Sequence, residues 1–145
     1  MSDGVHVVCG NCGGVNRVPR ARIEEDPKCG KCKASLLKGP PTELTEQTFD
    51  PFIGRNELPV VVDFWADWCA PCKTLLPAVE SVAEQFKGRL RVGKVNVEEN
   101  EHVPFQYNIT TLPTLLIIKG GKVSEQRVGL ISRDNLVKLI EPHLG

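Results

Sequence analysis

The sequence predicts an α/β domain of alternating strands and helices, preceded by a small cysteine-rich segment. Three observations carry this. Beyond Pro41, short Val- and Ile-rich runs alternate with stretches of helical period. Before Lys38, four cysteines stand in two Cys-x-x-Cys pairs within a stretch that has almost no apolar periodicity. A third pair, Cys69-Ala70-Pro71-Cys72, falls where an apolar run gives way to a helical pattern.

The elements follow in order. The segment 1–38 is too short and polar to build a core of its own. Lys38-Gly39-Pro40-Pro41 resists regular structure, so residues 39–42 read as a short, stiff linker to a domain at 43–145. A short extended piece precedes Thr45, and a helix is expected over Gln47 to Ile53. Val60 to Ala66 is apolar throughout except for Asp63, the pattern of a buried central strand. A helix follows from about Cys72 to Phe86, with a kink expected at Pro77. Leu90 to Val97 forms a second strand, and a helix is expected near Glu101 to Tyr107. Thr114 to Ile118 and Lys122 to Val128 flank Gly120-Gly121, a hairpin signal. Ser132 is placed to cap a last helix whose apolar face carries Leu136, Leu139 and Ile140.

Composition narrows the function. The chain has 145 residues, 41% of them apolar and 25% charged, as expected of a soluble globular protein. Its formal net charge is zero, which removes any general drive toward nucleic acid or anionic membrane. Arg17, Arg20 and Arg22 have no aromatic stacking platform beside them, so a solvated basic face is the better reading. No apolar run approaches a membrane span. Val5 to Val8 is too short for the apolar stretch of a signal peptide, and we expect a cytoplasmic protein. Six cysteines in three pairs suit metal and redox chemistry in a reducing compartment better than a disulfide framework.

Cys9, Cys12, Cys29 and Cys32 have the spacing of a zinc site, with sixteen residues between the two pairs. Each pair lies in a turn of small residues, and two such turns brought together give a tetrahedral four-cysteine site, a zinc ribbon, for one structural zinc ion. The ion would supply the segment's folding energy. Redox-active disulfides and an iron centre are the competing readings of the same spacing.

Cys69 and Cys72 carry the reaction chemistry. A cysteine at a helix N-terminus lies over unpaired backbone N–H groups, which favour its reactive thiolate. We expect Cys69 to be the partly exposed nucleophile. Cys72 lies one turn on, on the same helix face, as the shielded resolving thiol of a thiol–disulfide exchange. Asp63 sits within a Val-rich strand, where burial raises the pKa of a carboxyl.

The residues Asp63-Phe64-Trp65-Ala66, Trp68-Cys69-Ala70-Pro71-Cys72-Lys73, Pro77, Lys94-Val95-Asn96-Val97, Leu112-Pro113-Thr114-Leu115 and Val128-Gly129 resemble the thioredoxin family. The similarity covers roughly residues 41 to 145, and the cysteine-rich segment looks like that of the bacterial thioredoxin-2 type. One departure stands out: Ala70 replaces the glycine usual between the two cysteines. The resemblance implies a thioredoxin fold, a mixed sheet flanked by helices. It places Asp63 behind Cys72 as proton acceptor, with Lys94 near this carboxylate. It implies a cis bond before Pro113, facing the dithiol. Trp68, Ala70, Pro71, Leu112, Pro113 and Gly129 would then contact substrate, with Trp65 in the core.

The implied activity is reduction of protein disulfides by a monomer. A thioredoxin reductase would restore the dithiol with NADPH electrons, in keeping with the absence of a Gly-x-Gly-x-x-Gly fingerprint in this chain. Two rivals remain. One is an oxidase or isomerase, whose potential Ala70 would shift. The other is a zinc-dependent redox sensor or chaperone-like binding module.

Overall fold

A computed structural model describes residues 4–144. The first three residues of the expected segment 1–38 and the last residue of the expected domain 43–145 lie outside the described residues. The N-terminal part contains an antiparallel pair, β1 (Gly4–Val8) and β2 (Val15–Pro19), followed by a 3-10 turn at Arg20–Arg22. The larger part contains β3 (Thr42–Leu44), α1 (Phe49–Arg55), β4 (Val60–Trp65), α2 (Ala70–Gln85), β5 (Arg91–Asn96), α3 (His102–Gln106), β6 (Thr114–Lys119), β7 (Lys122–Val128) and α4 (Arg133–Ile140). Its five strands form one mixed sheet in the order β3-β5-β4-β6-β7. Strands β3, β5 and β4 are parallel; β6 runs against β4, and β7 against β6.

The two-residue period of a strand sends neighbouring side chains of β4 to opposite faces. Val60, Val62 and Phe64 pack with Phe49, Phe52 and Ile53 of α1 and Val103 of α3. Val61 packs with Leu75, Val79 and Val82 of α2 and Leu136 and Ile140 of α4. Both faces of β4 are therefore covered, which explains its unbroken apolar run. Asp63 shares the face of Val61, and this is why it meets α2.

The local signals act as their chemistry dictates. Ser132 Oγ accepts from Asn135 N at 3.2 Å and caps α4. Gly120 and Gly121 have φ of 60° and 79°, the left-handed pair that a tight β6–β7 hairpin needs. Helix α1 begins at Phe49, two residues later than expected, because Thr45 and Thr48 close a turn on each other first. Thr45 N donates to Thr48 Oγ1 at 2.8 Å, and Thr48 N to Thr45 Oγ1 at 3.3 Å. Helix α2 runs on through Pro77, which lies on an exposed position.

The N-terminal segment departs from expectation in having a small core. Val5, Val7, Val18 and Leu36 are buried with Cys9 and Cys29, and Ile23, Leu37 and Leu58 pack against them. It is also keyed into the larger sheet. Val8 belongs to the core cluster of α1 and β4. Val8 N donates to Asn56 Oδ1 at 2.8 Å, and Arg91 Nη1 donates to Val8 O at 2.7 Å and to Asn56 Oδ1 at 3.1 Å. The Arg91 guanidinium is buried and lies 4.9 Å from the Phe52 ring centroid, so its charge is met by carbonyl, amide and aromatic partners together.

Candidate active site and metal centre

The dithiol is built where β4 ends and α2 begins. Cys69 is the N-cap of α2, and its Sγ accepts from Cys72 N at 3.2 Å. Pro71 stands in the first turn, where its missing N–H leaves nothing unpaired. Cys69 and Cys72 are joined in a disulfide, the oxidised state of the pair. One expectation is corrected: Cys69 is only 3% exposed, against 4% for Cys72. Exposure therefore does not separate the two sulfurs in this state. Their position does, because Cys69 caps the helix while Cys72 lies inside its first turn.

Cys72 opens on a cavity of ≈ 280 Å³ lined by Asp63, Trp65, Cys72, Lys73, Leu76 and Lys94. Asp63 is 1% exposed, and its Oδ1 is buried without a hydrogen-bond partner among the described residues. Burial pushes its carboxyl up to about 7; the Lys94 charge acts downward and the Glu43 charge upward. Lys94 is paired in register with Asp63 across β4 and β5. Its Nζ lies 3.2 Å from Glu43 Oε1 and 4.6 Å from the Trp65 ring centroid. Trp65, expected in the core, packs against buried Ala66, Cys69 and Cys72, and its indole nitrogen is buried. The residue is half-buried, lines this cavity and carries Lys94 on its face.

Trp68 is 68% exposed, and Ala70 and Pro71 are exposed beside it. The Leu112–Pro113 bond is cis, and Leu112 packs against Ala66, Cys69 and Cys72. Pro113 itself is buried, and its carbonyl accepts from Gly129 N at 2.8 Å, which ties the start of β6 to the end of β7. Glu43 is the residue of this region that sequence reasoning missed. The signal was the Thr-Glu-Leu alternation of a short strand, but its partner across the sheet is not visible in a linear pattern.

Cys9, Cys12, Cys29 and Cys32 come together with all four sulfurs within 4.8 Å of one another. The Sγ atoms of Cys9 and Cys32 are 3.6 Å apart, and those of Cys12 and Cys29 are 3.7 Å apart. Two sulfurs bound tetrahedrally at about 2.3 Å from zinc would lie about 3.8 Å apart, so the spacing fits that ion. Two matching turns hold them. Gly13 N donates to Cys9 O and Lys33 N to Cys29 O, both at 2.9 Å, with φ of 79° at Gly13 and 70° at Lys33. Backbone N–H groups of Asn11, Gly14 and Lys31 point at the sulfurs of Cys9, Cys12 and Cys29 at 3.4 Å. Asn16 links the turns: its Nδ2 donates to Cys29 Sγ and Gly14 O, and its Oδ1 accepts from Gly30 N. The Cys32 N–H and the Asn16 amide hold the Cys29 thiol down to about 6. At Cys12 the Gly14 N–H acts the same way, but desolvation and the other three sulfurs outweigh it and push the thiol up to about 11. Four adjacent sulfurs cannot all ionise without a cation among them.

Comparison with known proteins agrees with this geometry. A family model described as thioredoxin matches residues 40–142, and one described as the zinc ribbon of thioredoxin 2, N-terminal, matches residues 8–34. A thioredoxin of Chlorobaculum thiosulfatiphilum is 43% identical over 103 residues, covering 71% of this chain and 95% of its own length. Thioredoxin 2 of Chlorobaculum tepidum is 40% identical over 109 residues, covering 75% of this chain and all of its own. A solved structure of a point mutant of thioredoxin from Halobacterium salinarum has a TM-score of 0.67 at 36% identity, over 73% of this chain and 92% of that one. With a Cys-x-x-Cys pair capping a helix that follows a strand of a five-stranded mixed sheet, the chain belongs to the thioredoxin family of thiol–disulfide oxidoreductases.

Proposed function

We propose that this chain reduces protein disulfides through Cys69 and Cys72, with Asp63 moving the proton of Cys72 and a single structural zinc held by the N-terminal cysteines. The observation that carries the reading is the position of the pair: Cys69 Sγ receives the Cys72 N–H at the head of α2, and Cys72 faces the cavity that holds buried Asp63. In the reduced state the Cys69 thiolate attacks one sulfur of a substrate disulfide. That S–S bond breaks and the first substrate thiolate leaves. Cys72 then gives its proton to the Asp63 carboxylate and attacks Cys69 Sγ, breaking the mixed disulfide and releasing the second substrate thiolate. Two electrons pass from the dithiol to the substrate. In the return direction protonated Asp63 supplies the proton as Cys72 leaves, and a thioredoxin reductase fits as electron donor.

Trp68, Ala70, Pro71, Leu112 and Gly129 form the docking rim in this reading, with buried Pro113 behind it and the main-chain groups beside Pro113 pairing to an extended substrate segment. Residues 43–145 carry this chemistry, 39–42 link, and 1–38 carry the metal. Cys9, Cys12, Cys29 and Cys32 would hold zinc, which when bound supplies a cross-link between the two turns. Four thiolate ligands leave no open position for a reaction at the ion. A working dithiol beside four metal-holding thiols suits a reducing compartment, the cytoplasm.

The test is trapping. Cys72→Ser should accumulate mixed disulfides through Cys69, and Cys69→Ser should neither trap partners nor turn over. Trapping by Cys69→Ser alone would reverse the assignment.

A further inference from the structure

Glu43, Lys94 and Asp63 stand abreast on three adjacent strands. The parallel register pairs Glu43 of β3 with Lys94 of β5, and Lys94 with Asp63 of β4. The row runs from solvent to core: the Glu43 side chain is 53% exposed, Lys94 16%, and the Asp63 residue 1%. Lys94 is the shared member, and it is turned outward. Its Nζ pairs with Glu43 and rests on the Trp65 face, while Asp63 Oδ1 stays without a hydrogen-bond partner among the described residues. Two forces hold the ammonium in place, an ion pair and a cation–π contact. The other groups around Asp63 are Cys72 and Lys73 of α2, which line the same cavity, and apolar Leu115, its partner on β6.

We propose that Glu43 is a positioning residue for the dithiol reaction: it holds Lys94 outward, away from Asp63, so that Asp63 stays free to exchange a proton with Cys72. A lysine swung inward would pair with the Asp63 carboxylate and favour its ionised form. The carboxyl would then give up its proton at ordinary carboxylate pH, and it could not return one to the departing Cys72 sulfur. Glu43 also opposes ionisation of Asp63 directly through its own negative charge, so loss of Glu43 acts in one direction by both routes. This inference rests on the proposed role of Asp63.

The experiment is a titration of the Asp63 side-chain carboxyl by ¹³C NMR in the full-length protein. It compares the natural chain with E43Q, K94Q and the double variant E43Q/K94Q, each first shown to be folded by thermal unfolding. We expect E43Q to lower the Asp63 midpoint by about 0.5–1 pH unit and K94Q to raise it. With Lys94 already removed, E43Q should move the midpoint by less than half as much, the non-additivity of a residue that acts through another. An unmoved midpoint in E43Q, or the same shift with and without Lys94, overturns the proposal. Disulfide-reduction rates against pH separate its failure from that of the Asp63 role. If Asp63→Asn abolishes the limb of the profile near neutral pH and E43Q leaves the limb in place, only the positioning by Glu43 fails. If Asp63→Asn leaves the limb unchanged, the role of Asp63 falls first and the positioning of Lys94 has no bearing on the reaction.

Discussion

Asp63 holds a carboxyl with an ordinary pKa of 3.8 at about 7, and desolvation is the main cause. A raised acid is a stability statement with a definite sign. Below about pH 4 the group is protonated in both the folded and unfolded chains, and burial costs nothing extra. Between about pH 4 and about pH 7 the unfolded chain has released the proton and the folded chain has not, so stability falls as pH rises. Above about pH 7 both have released it and the loss is complete. Three pH units correspond to on the order of 4 kcal/mol. Asp63→Asn keeps the shape and cannot ionise, so it should escape this loss. We expect its advantage over the natural chain, from urea unfolding of the oxidised proteins, to grow through that window and then level off. An advantage that is constant with pH would mean that Asp63 is not buried as a neutral acid. The same substitution should slow turnover, since an amide cannot take the Cys72 proton. Stability and activity move in opposite directions at this one position.

The cysteine turns make their prediction at the level of the element. Each turn is a local device of backbone N–H groups aimed at sulfur, and Asn16 of β2, which lies outside both turns, bonds to each of them. Asn16→Ala would remove an N–H donor from Cys29 and the acceptor of Gly30 N together. Supporting groups of this kind are worth about 10–100-fold in metal affinity. We expect at least about a tenfold loss of zinc affinity in Asn16→Ala, measured by competition with a chromophoric chelator on the reduced protein. Asn11→Ala, which loses one exposed bond to Cys32, should lose less. Equal affinity in the natural chain and Asn16→Ala would show that the turns do not need Asn16 as a tie. The turns themselves were legible in the sequence, because cysteine spacing and small residues are local. The strands beside them were not: β1 offers only the Val5–Val7 alternation and β2 buries only Val18. The same divide holds in the larger part. The Val60–Phe64 run, the Ser132 cap and the Gly120-Gly121 turn act on their own neighbours and could be read directly. The partner of Glu43 is 51 residues on, and that of Val8 is Arg91, 83 residues away. Sheet order sets such pairs, and no local period reports it. Cys69, Cys72 and Asp63 were legible because strand and helix patterns meet there, whereas the cis bond at Pro113 came from resemblance alone.

At the scale of the molecule the question is how far the two sheets depend on each other. The groups proposed for the reaction all lie beyond Pro41, around one cavity and one helix terminus, and among the described residues no hydrogen bond joins them to the cysteine turns. The contact between the parts lies elsewhere, at Val8, Asn56 and Arg91, between His6 and Glu57, and at Leu58. Deleting residues 1–39 would uncover the apolar site of Val8 and remove the carbonyl that meets the Arg91 guanidinium. Against this, Arg91 and Asn56 regain water, and buried charge is costly to keep. The net loss should be about 2–4 kcal/mol, from one buried valine and four hydrogen bonds, partly offset by that rehydration. For a domain of this size that is a fall in Tm on the order of 10 °C, not unfolding. The remaining sheet keeps both of its packed faces, each covered by helices of its own. We therefore expect the shortened chain to fold and to reduce a small aromatic disulfide within a few-fold of the full-length rate, a barrier change under about 1.4 kcal/mol. Full-length protein stripped of zinc under reducing conditions should behave alike in rate, since loss of the ion loosens the turns without reaching Cys69. Loss of all activity in a shortened chain that still shows a cooperative transition would place the metal segment inside the reaction machinery. An unfolded shortened chain would instead make Val8 and Arg91 part of a single indivisible core.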